Sequence, residues 1–426
     1  MSDGPDLLTP SREYVVDRTT CPVAAFGRLR EQGPVVAMPE SPMVAASLVT
    51  RYDDVHALLL DPRFRNDPTG VPGAGDVMGP LLTGLGLPPE LDHLGRGLLV
   101  RDGADHARLR RLVSRAFTVR RVVALRPRVE QLTAELLDDV AAVGADGSPV
   151  DLLPTVFRAL PIAVICELVG VPVEQRGLWR ELAALLVAPD PERMPDVARA
   201  VVAQIHELVA ARRADPRDDL VDVLVAVHDD GDRLTADELD VLLFDLVVAG
   251  FETTAHVLSR ATLALLTRPD QLATLRAEPW RWPTAVHEIV RTCGAVPVST
   301  PRYASTDVVV GDTRIAAGES VTAGLVTANF DPRRYDRPDE LDVTRDPGRG
   351  EGHLGFGQGA HYCLGAALAR TELEIGLRAL VTRFPALRLA EPADGPADLG
   401  FVRTGAVEVR VNPVPTRSGG AHPPPS

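Results

Sequence analysis

Phe356-Gly357-Gln358-Gly359-Ala360-His361-Tyr362-Cys363-Leu364-Gly365 is the most informative stretch of this 426-residue chain. It runs straight into a helix-forming segment, Ala366-Ala367-Leu368-Ala369-Arg370-Thr371-Glu372. Glycines permit φ > 0 and let another surface approach the main chain closely. A cysteine at a helix N-terminus has its thiolate favoured by the helix dipole and by free backbone N–H groups, which is what a soft metal ligand needs. A free cysteine is more often an inert buried residue. The glycine frame is what sets Cys363 apart.

The run resembles the haem-binding loop of cytochromes P450, where Phe, two Gly, a basic residue, Cys and a final Gly recur at these spacings. The resemblance implies a mainly α fold with a small β-sheet region and a haem b cofactor (iron protoporphyrin IX). Cys363 would be the axial thiolate on its iron. Phe356 would pack beside the thiolate, His361 would face a haem propionate, and Gly357 and Gly365 would complete the cofactor cradle.

Outside this loop, composition narrows the class. At 45% hydrophobic and 24% charged residues the chain reads as an ordinary globular protein. The start, Met1-Ser2-Asp3-Gly4-Pro5-Asp6, is acidic, so no secretory signal or membrane anchor is expected and a cytoplasmic location is. A net charge of −14 argues against nucleic-acid binding. All 45 basic residues are arginine, a bias typical of GC-rich, actinobacterial-type genes. The four cysteines, Cys21, Cys166, Cys293 and Cys363, lie far apart and form no disulfide or metal spacing. Cys166 and Cys293 read as buried structural thiols.

The expected organisation is one domain over residues 21–412, a loosely ordered segment at 1–20, and a disordered Pro/Gly-rich tail at 413–426. Apolar residues at helical spacing predict helices over Arg108–Ala116, Val122–Val143, Leu153–Val169, Val173–Val187 and Pro195–Arg213. Strands are expected at 35–38, 46–50, 306–310, 320–323 and 407–411, with a small sheet near the N-terminus and a turn at Gly311-Asp312-Thr313.

A longer helix is expected from Thr235, whose capping box with Glu238 marks its start, to Arg268, where Pro269 stops it. Its middle, Ala249-Gly250-Phe251-Glu252-Thr253-Thr254, is poor helix sequence, since an internal glycine costs roughly 1 kcal/mol against alanine. Threonine hydroxyls can also bond back to the preceding turn and bend the axis. The segment resembles the oxygen-activating motif of the same family. By that resemblance Ala249 and Gly250 let the flat macrocycle lie against the backbone, Thr253 hydrogen-bonds dioxygen, and Glu252 relays protons.

Other positions carry weaker signals. Glu288 and Arg291 share a helix face at i, i+3, and the resemblance adds Arg345 to a structural triad that fixes the cysteine loop. His106 and Arg110 share a face at i, i+4. Together with Arg302 they are the expected propionate partners, although His106 could equally serve the local helix start. Arg108, Arg111 and Arg115 form a basic patch on the other face, suited to docking an acidic ferredoxin. Substrate-facing positions, by analogy, are Val247, Phe251, Val296, Val298 and Phe401, with the loop from Asp67 to Gly97. Phe330, Thr292-Cys293 and Gly355 depart from the family pattern without removing a catalytic group.

The expected function is a haem-thiolate monooxygenase that hydroxylates or epoxidises a lipophilic small molecule, such as a polyketide, macrolide, terpenoid or peptide natural product. Ferredoxin and ferredoxin reductase would supply the electrons. Oxidative coupling or cyclisation by the same cofactor, and a non-catalytic sensor or carrier, are the alternatives. The paired Glu252 and Thr253 argue against the carrier.

Overall fold

The computed structural model describes residues 22–38, 45–74, 86–114, 117–187, 190, 192–217, 220–229, 234–348, 350–391 and 406–412. The expected loose termini, Cys21, Arg115, Phe401 and part of the 67–97 loop lie outside the described residues.

Helices form most of the molecule, arranged about the long helix Ala236–Leu266. Its capping box is formed: Thr235 Oγ1 accepts from the Glu238 N–H at 3.1 Å, and the Glu238 carboxylate accepts from the Thr235 N–H at 3.0 Å. The helix is long and apolar enough to cross a membrane. It is instead the hub of the fold, packed on Ala159–Val169, Met194–Ala214, Trp282–Cys293 and Ala366–Arg383. Its charged residues are taken up inside the molecule; Arg260, for example, is buried and donates to the Gly294 carbonyl at 2.5 Å. The helix stops at Leu266, short of Arg268, and Pro269 instead opens the next helix.

Two expected helices start differently. Leu153–Phe157 is a π-helical turn before the regular helix Ala159–Val169, and Val173–Gln175 is a 3₁₀ turn before Arg176–Val187. Pro154 removes one backbone donor from the first of these.

The main sheet is not an N-terminal unit. Strands β1 (Val35–Ala37), β2 (Ser47–Val49) and β3 (Phe64–Arg65) are joined by β5 (Arg302–Ala304) and β8 (Ser320–Ala323), in the order β1-β2-β8-β5-β3. Register puts Leu48 opposite Thr322 in the one parallel pair and Arg302 opposite Val321. This fixes Arg302 mid-sheet. Three further strands (β4 Val150–Asp151, β9 Arg388–Leu389, β10 Glu408–Arg410) make a small sheet, and β6 (Val308–Val310) and β7 (Thr313–Ile315) form a hairpin around the expected turn.

Candidate active site

Cys363 lies just before the helix Ala366–Arg383, and its N–H donates to the Phe356 carbonyl at 2.9 Å, closing the loop. Gly357 and Gly359 have φ of +69° and +76°, a conformation that side-chain-bearing residues rarely adopt. At Gly359 a Cβ would also lie 2.7 Å from the Leu59 carbonyl oxygen.

Burial raises the pKa of the free Cys363 thiol, against the Gly365 N–H and the charges of Arg110 and Arg370, which lower it. The helix end thus works against burial at this thiol. A coordinated cation reverses that balance, because a metal-bound thiol is deprotonated outright.

The loop rests on buried polar clamps. Arg291 Nε and Nη2 donate to Glu288 at 2.7 and 2.8 Å, and Arg345 Nε stands 3.1 Å from the same carboxylate. Arg291 also donates to the carbonyls of Asn329, Pro338 and Glu340, while Glu288 accepts from the Asp342 N–H. The expected triad is formed.

Behind Cys363 a second clamp went unseen in the sequence. Glu351 accepts from the Tyr362 hydroxyl at 2.7 Å and from Arg370 at 2.6 Å, with His287 and His353 beside its other oxygen. Burial raises the Glu351 pKa, but His287 beside it, the Tyr362 hydrogen bond and the charge of Arg370 bring it down to about 2. His353 Nδ1 accepts from the Gly355 N–H at 3.1 Å, so its proton sits on Nε2, facing the carboxylate. His287 Nδ1, Glu351 Oε2 and His353 Nε2 gather within 4.8 Å of one another, and none of the three atoms has a hydrogen-bond partner among the described residues.

Cation-bearing side chains ring the loop. Arg110 donates to the Tyr362 carbonyl at 2.5 Å. His106 is stacked near His361, ring centroids 4.2 Å apart, and His361 Nε2 lies 3.2 Å from Asp102. Two buried nitrogen atoms here, His106 Nε2 and Arg302 Nε, have no hydrogen-bond partner among the described residues. Burial lowers the His106 pKa to about 4 and that of Arg302 to about 10. The unpaired, cationic Arg302 calls for an anion, and a neutral His106 can donate to one. On the Cβ side of Gly365 no atom lies within 4 Å, and at Gly357 the nearest is 3.9 Å away. A thiol donor, an unpaired arginine, a histidine with a free ring nitrogen and open glycine faces fit a flat, propionate-bearing iron macrocycle.

On the long helix, Ala249 and Thr253 are exposed one turn apart, and Thr253 Oγ1 bonds back to the Ala249 carbonyl at 2.9 Å. Gly250 does not share that face. A Cβ there would meet Ile165 Cδ1 at 2.5 Å, so Gly250 serves helix packing rather than the macrocycle. Glu252 stands 3.1 Å from both Arg158 and His256. Burial pushes its pKa up, but hydrogen bonds from His256 and Arg158 leave it below the ordinary value. His256, at i+4 from Glu252, was within reach of sequence spacing; Arg158, 94 residues away, was not.

Other expectations change. Val247 and Phe251 are each 2% exposed and packed in the helical core with Ile165 and Leu243, so they do not line the open face. Val296 is 42% exposed, and Val298 packs on Met38 and Leu48. Arg108 is not part of a free basic patch, since its guanidinium is paired with Glu238; Arg111 is exposed. Cys166 and Cys293 are buried, as expected.

The family model for cytochrome P450 matches residues 191–280 and 283–401. The 6-deoxyerythronolide B hydroxylase of Saccharopolyspora erythraea is 43% identical, covering 92% of this chain and 95% of that one. The mycinamicin IV hydroxylase/epoxidase of Micromonospora griseorubida is 39% identical over 86% of this chain and 89% of its own. Among solved structures, the LnmA cytochrome P450 hydroxylase from the leinamycin pathway of Streptomyces atroolivaceus superimposes with a TM-score of 0.74 at 41% identity, covering 90% of this chain and 93% of that one. The chain belongs to the cytochrome P450 family, in its bacterial class. It is a monooxygenase with a haem-thiolate iron cofactor, and it acts with redox partners and dioxygen.

Proposed function

We propose that this enzyme hydroxylates or epoxidises a lipophilic natural-product intermediate of the polyketide or macrolide kind. Its cofactor is haem b, and ferredoxin and ferredoxin reductase supply the electrons in the cytoplasm. The site assignment rests on the Cys363 loop, the unpartnered His106 and Arg302 atoms beside it, and the exposed Ala249/Thr253 helix face. The names of the relatives, two macrolide-pathway hydroxylases among them, support the substrate class.

When bound, the haem supplies one-electron and dioxygen chemistry. Cys363 Sγ would hold the metal. Arg110, Arg302, His106 and His361 would hold the propionates, and Phe356 would pack against the loop. Thr253 Oγ1, now bonded to the Ala249 carbonyl, would be the hydroxyl free to donate toward dioxygen. Glu252 receives protons through His256 and releases Arg158 as it does so.

The test is to screen ferric holoenzyme against a panel of macrolactones for water displacement from the iron, seen as a Soret shift. Each hit is then turned over with a surrogate ferredoxin system. A product heavier by one oxygen atom supports the reading, and electron consumption without such a product from any hit contradicts it.

A further inference from the structure

Asp245 lies one turn before Ala249 and two before Thr253, about 6 and 12 Å along the helix axis. Its carboxylate is partly buried, and its one hydrogen bond is from the Leu98 N–H to Oδ2, at 3.3 Å. The backbone of residues 97–98 lies against it so closely that a Cβ on Gly97 would stand 2.1 Å from Oδ2. Among the described residues no cation pairs with Asp245, and Oδ1 accepts no hydrogen bond. One turn earlier, Val241 packs with Leu91 and Leu94, so the wall beyond it is apolar.

A partly buried carboxylate with one long hydrogen bond keeps an oxygen free to accept from a donor brought to it, and gains by doing so. Locally costly features of this kind gather at functional positions. Three other acids of this helix have partners: Glu238 has Arg108 and the Thr235 N–H, Asp240 has His206, and Glu252 has Arg158 and His256, while Asp237 is exposed in the first turn. Asp245 precedes Ala249 and Thr253 at i−4 and i−8, which puts it on the side of the helix that carries their open surface.

Resting on the function proposed above, we infer that Asp245 is the polar anchor of the substrate site. It accepts a hydrogen bond from an O–H or N–H group of the substrate, and the carbon to be oxidised is held near Thr253, about 12 Å away along the helix. The anchor orients an otherwise greasy molecule, because a site built to receive a donor rejects the analogue that lacks one.

The test uses ferric holoenzyme and a matched pair of probes, dodecan-1-ol and its methyl ether, titrated by the Soret shift. The wild type is expected to bind the alcohol about tenfold more tightly than the ether. Asp245→Leu should bring that ratio to about one without weakening the ether, and Asp245→Asn, which keeps an acceptor oxygen, should retain part of it. No preference in the wild type, failure of the alcohol to bind, or an undiminished preference in Asp245→Leu would overturn the assignment. A thiolate-type carbon monoxide spectrum from the same preparations checks the haem reading separately, so the two can fail independently.

Discussion

The two walls of the cofactor site are built in opposite ways. On the Cys363 side the two acids that brace the loop are clamped by fixed partners: Glu288 by Arg291 and Arg345, and Glu351 by Tyr362 and Arg370. On the long-helix side the polar groups are held by contacts that can be exchanged, such as the Thr253 back-bond and the single backbone donor to Asp245. The first wall must hold one atom at one place through many turnovers, and a satisfied buried network does that. The second must admit a substrate, pass protons and let go, so its polar groups keep bonds they can trade.

The sharpest way to break this contrast is to loosen the rigid wall. Arg291→Ala leaves Glu288 a buried charge facing only Arg345, and should cost about 3–5 kcal/mol. Chemical denaturation and the haem retained on purification would show it, and a stable, haem-replete variant would contradict it. On the other wall, Thr253→Ala should leave the haem spectrum and stability nearly unchanged but cut product formed per electron consumed by roughly tenfold or more. Unaltered coupling would remove Thr253 from the mechanism.

Asp245 gives a smaller, pH-dependent effect. Burial raises its pKa from 3.8 to about 7, so between those values the folded protein holds a proton that the unfolded chain has lost. Stability contributed by this group therefore falls as pH rises through that window. Asp245→Asn should abolish the fall and make the protein about 1–2 kcal/mol more stable at pH 8, allowing for partial solvent screening. Parallel unfolding curves for the two proteins from pH 5 to 8 would contradict it. The smallest effect is expected at the surface. With Arg108 committed to Glu238, Arg111→Glu should slow ferredoxin-driven reduction only a few-fold at low salt, and less as salt rises. Stopped-flow reduction rates that do not change would remove Arg111 from the docking face.

The same contrast explains what was legible in the sequence. Cys363, the Thr235–Glu238 box and the Glu288–Arg291 pair are local patterns, in which chemistry or helix geometry fixes the spacing of the residues. The structure forms the box and the pair as read. The long helix is buried on most sides, so spacing could not say which way a residue points. Gly250 was read toward the cofactor and packs on Ile165; Val247 and Phe251 were read toward substrate and sit in the core. Partners supplied from far along the chain, such as Arg158 for Glu252 or β8 for β2, leave no periodic signal at either end. Glu351 was also silent, because a lone glutamate in a glycine-rich turn looks like any solvated surface acid.

The central claim is that Cys363 is the ligand around which both walls are built. The direct measurement is the carbon monoxide difference spectrum of reduced Cys363→Ala, read beside that of the wild type. The wild type should show the red-shifted Soret band of a thiolate-bound iron, and the variant should lose it whether or not haem is retained. A variant that kept the thiolate-type band would contradict the account.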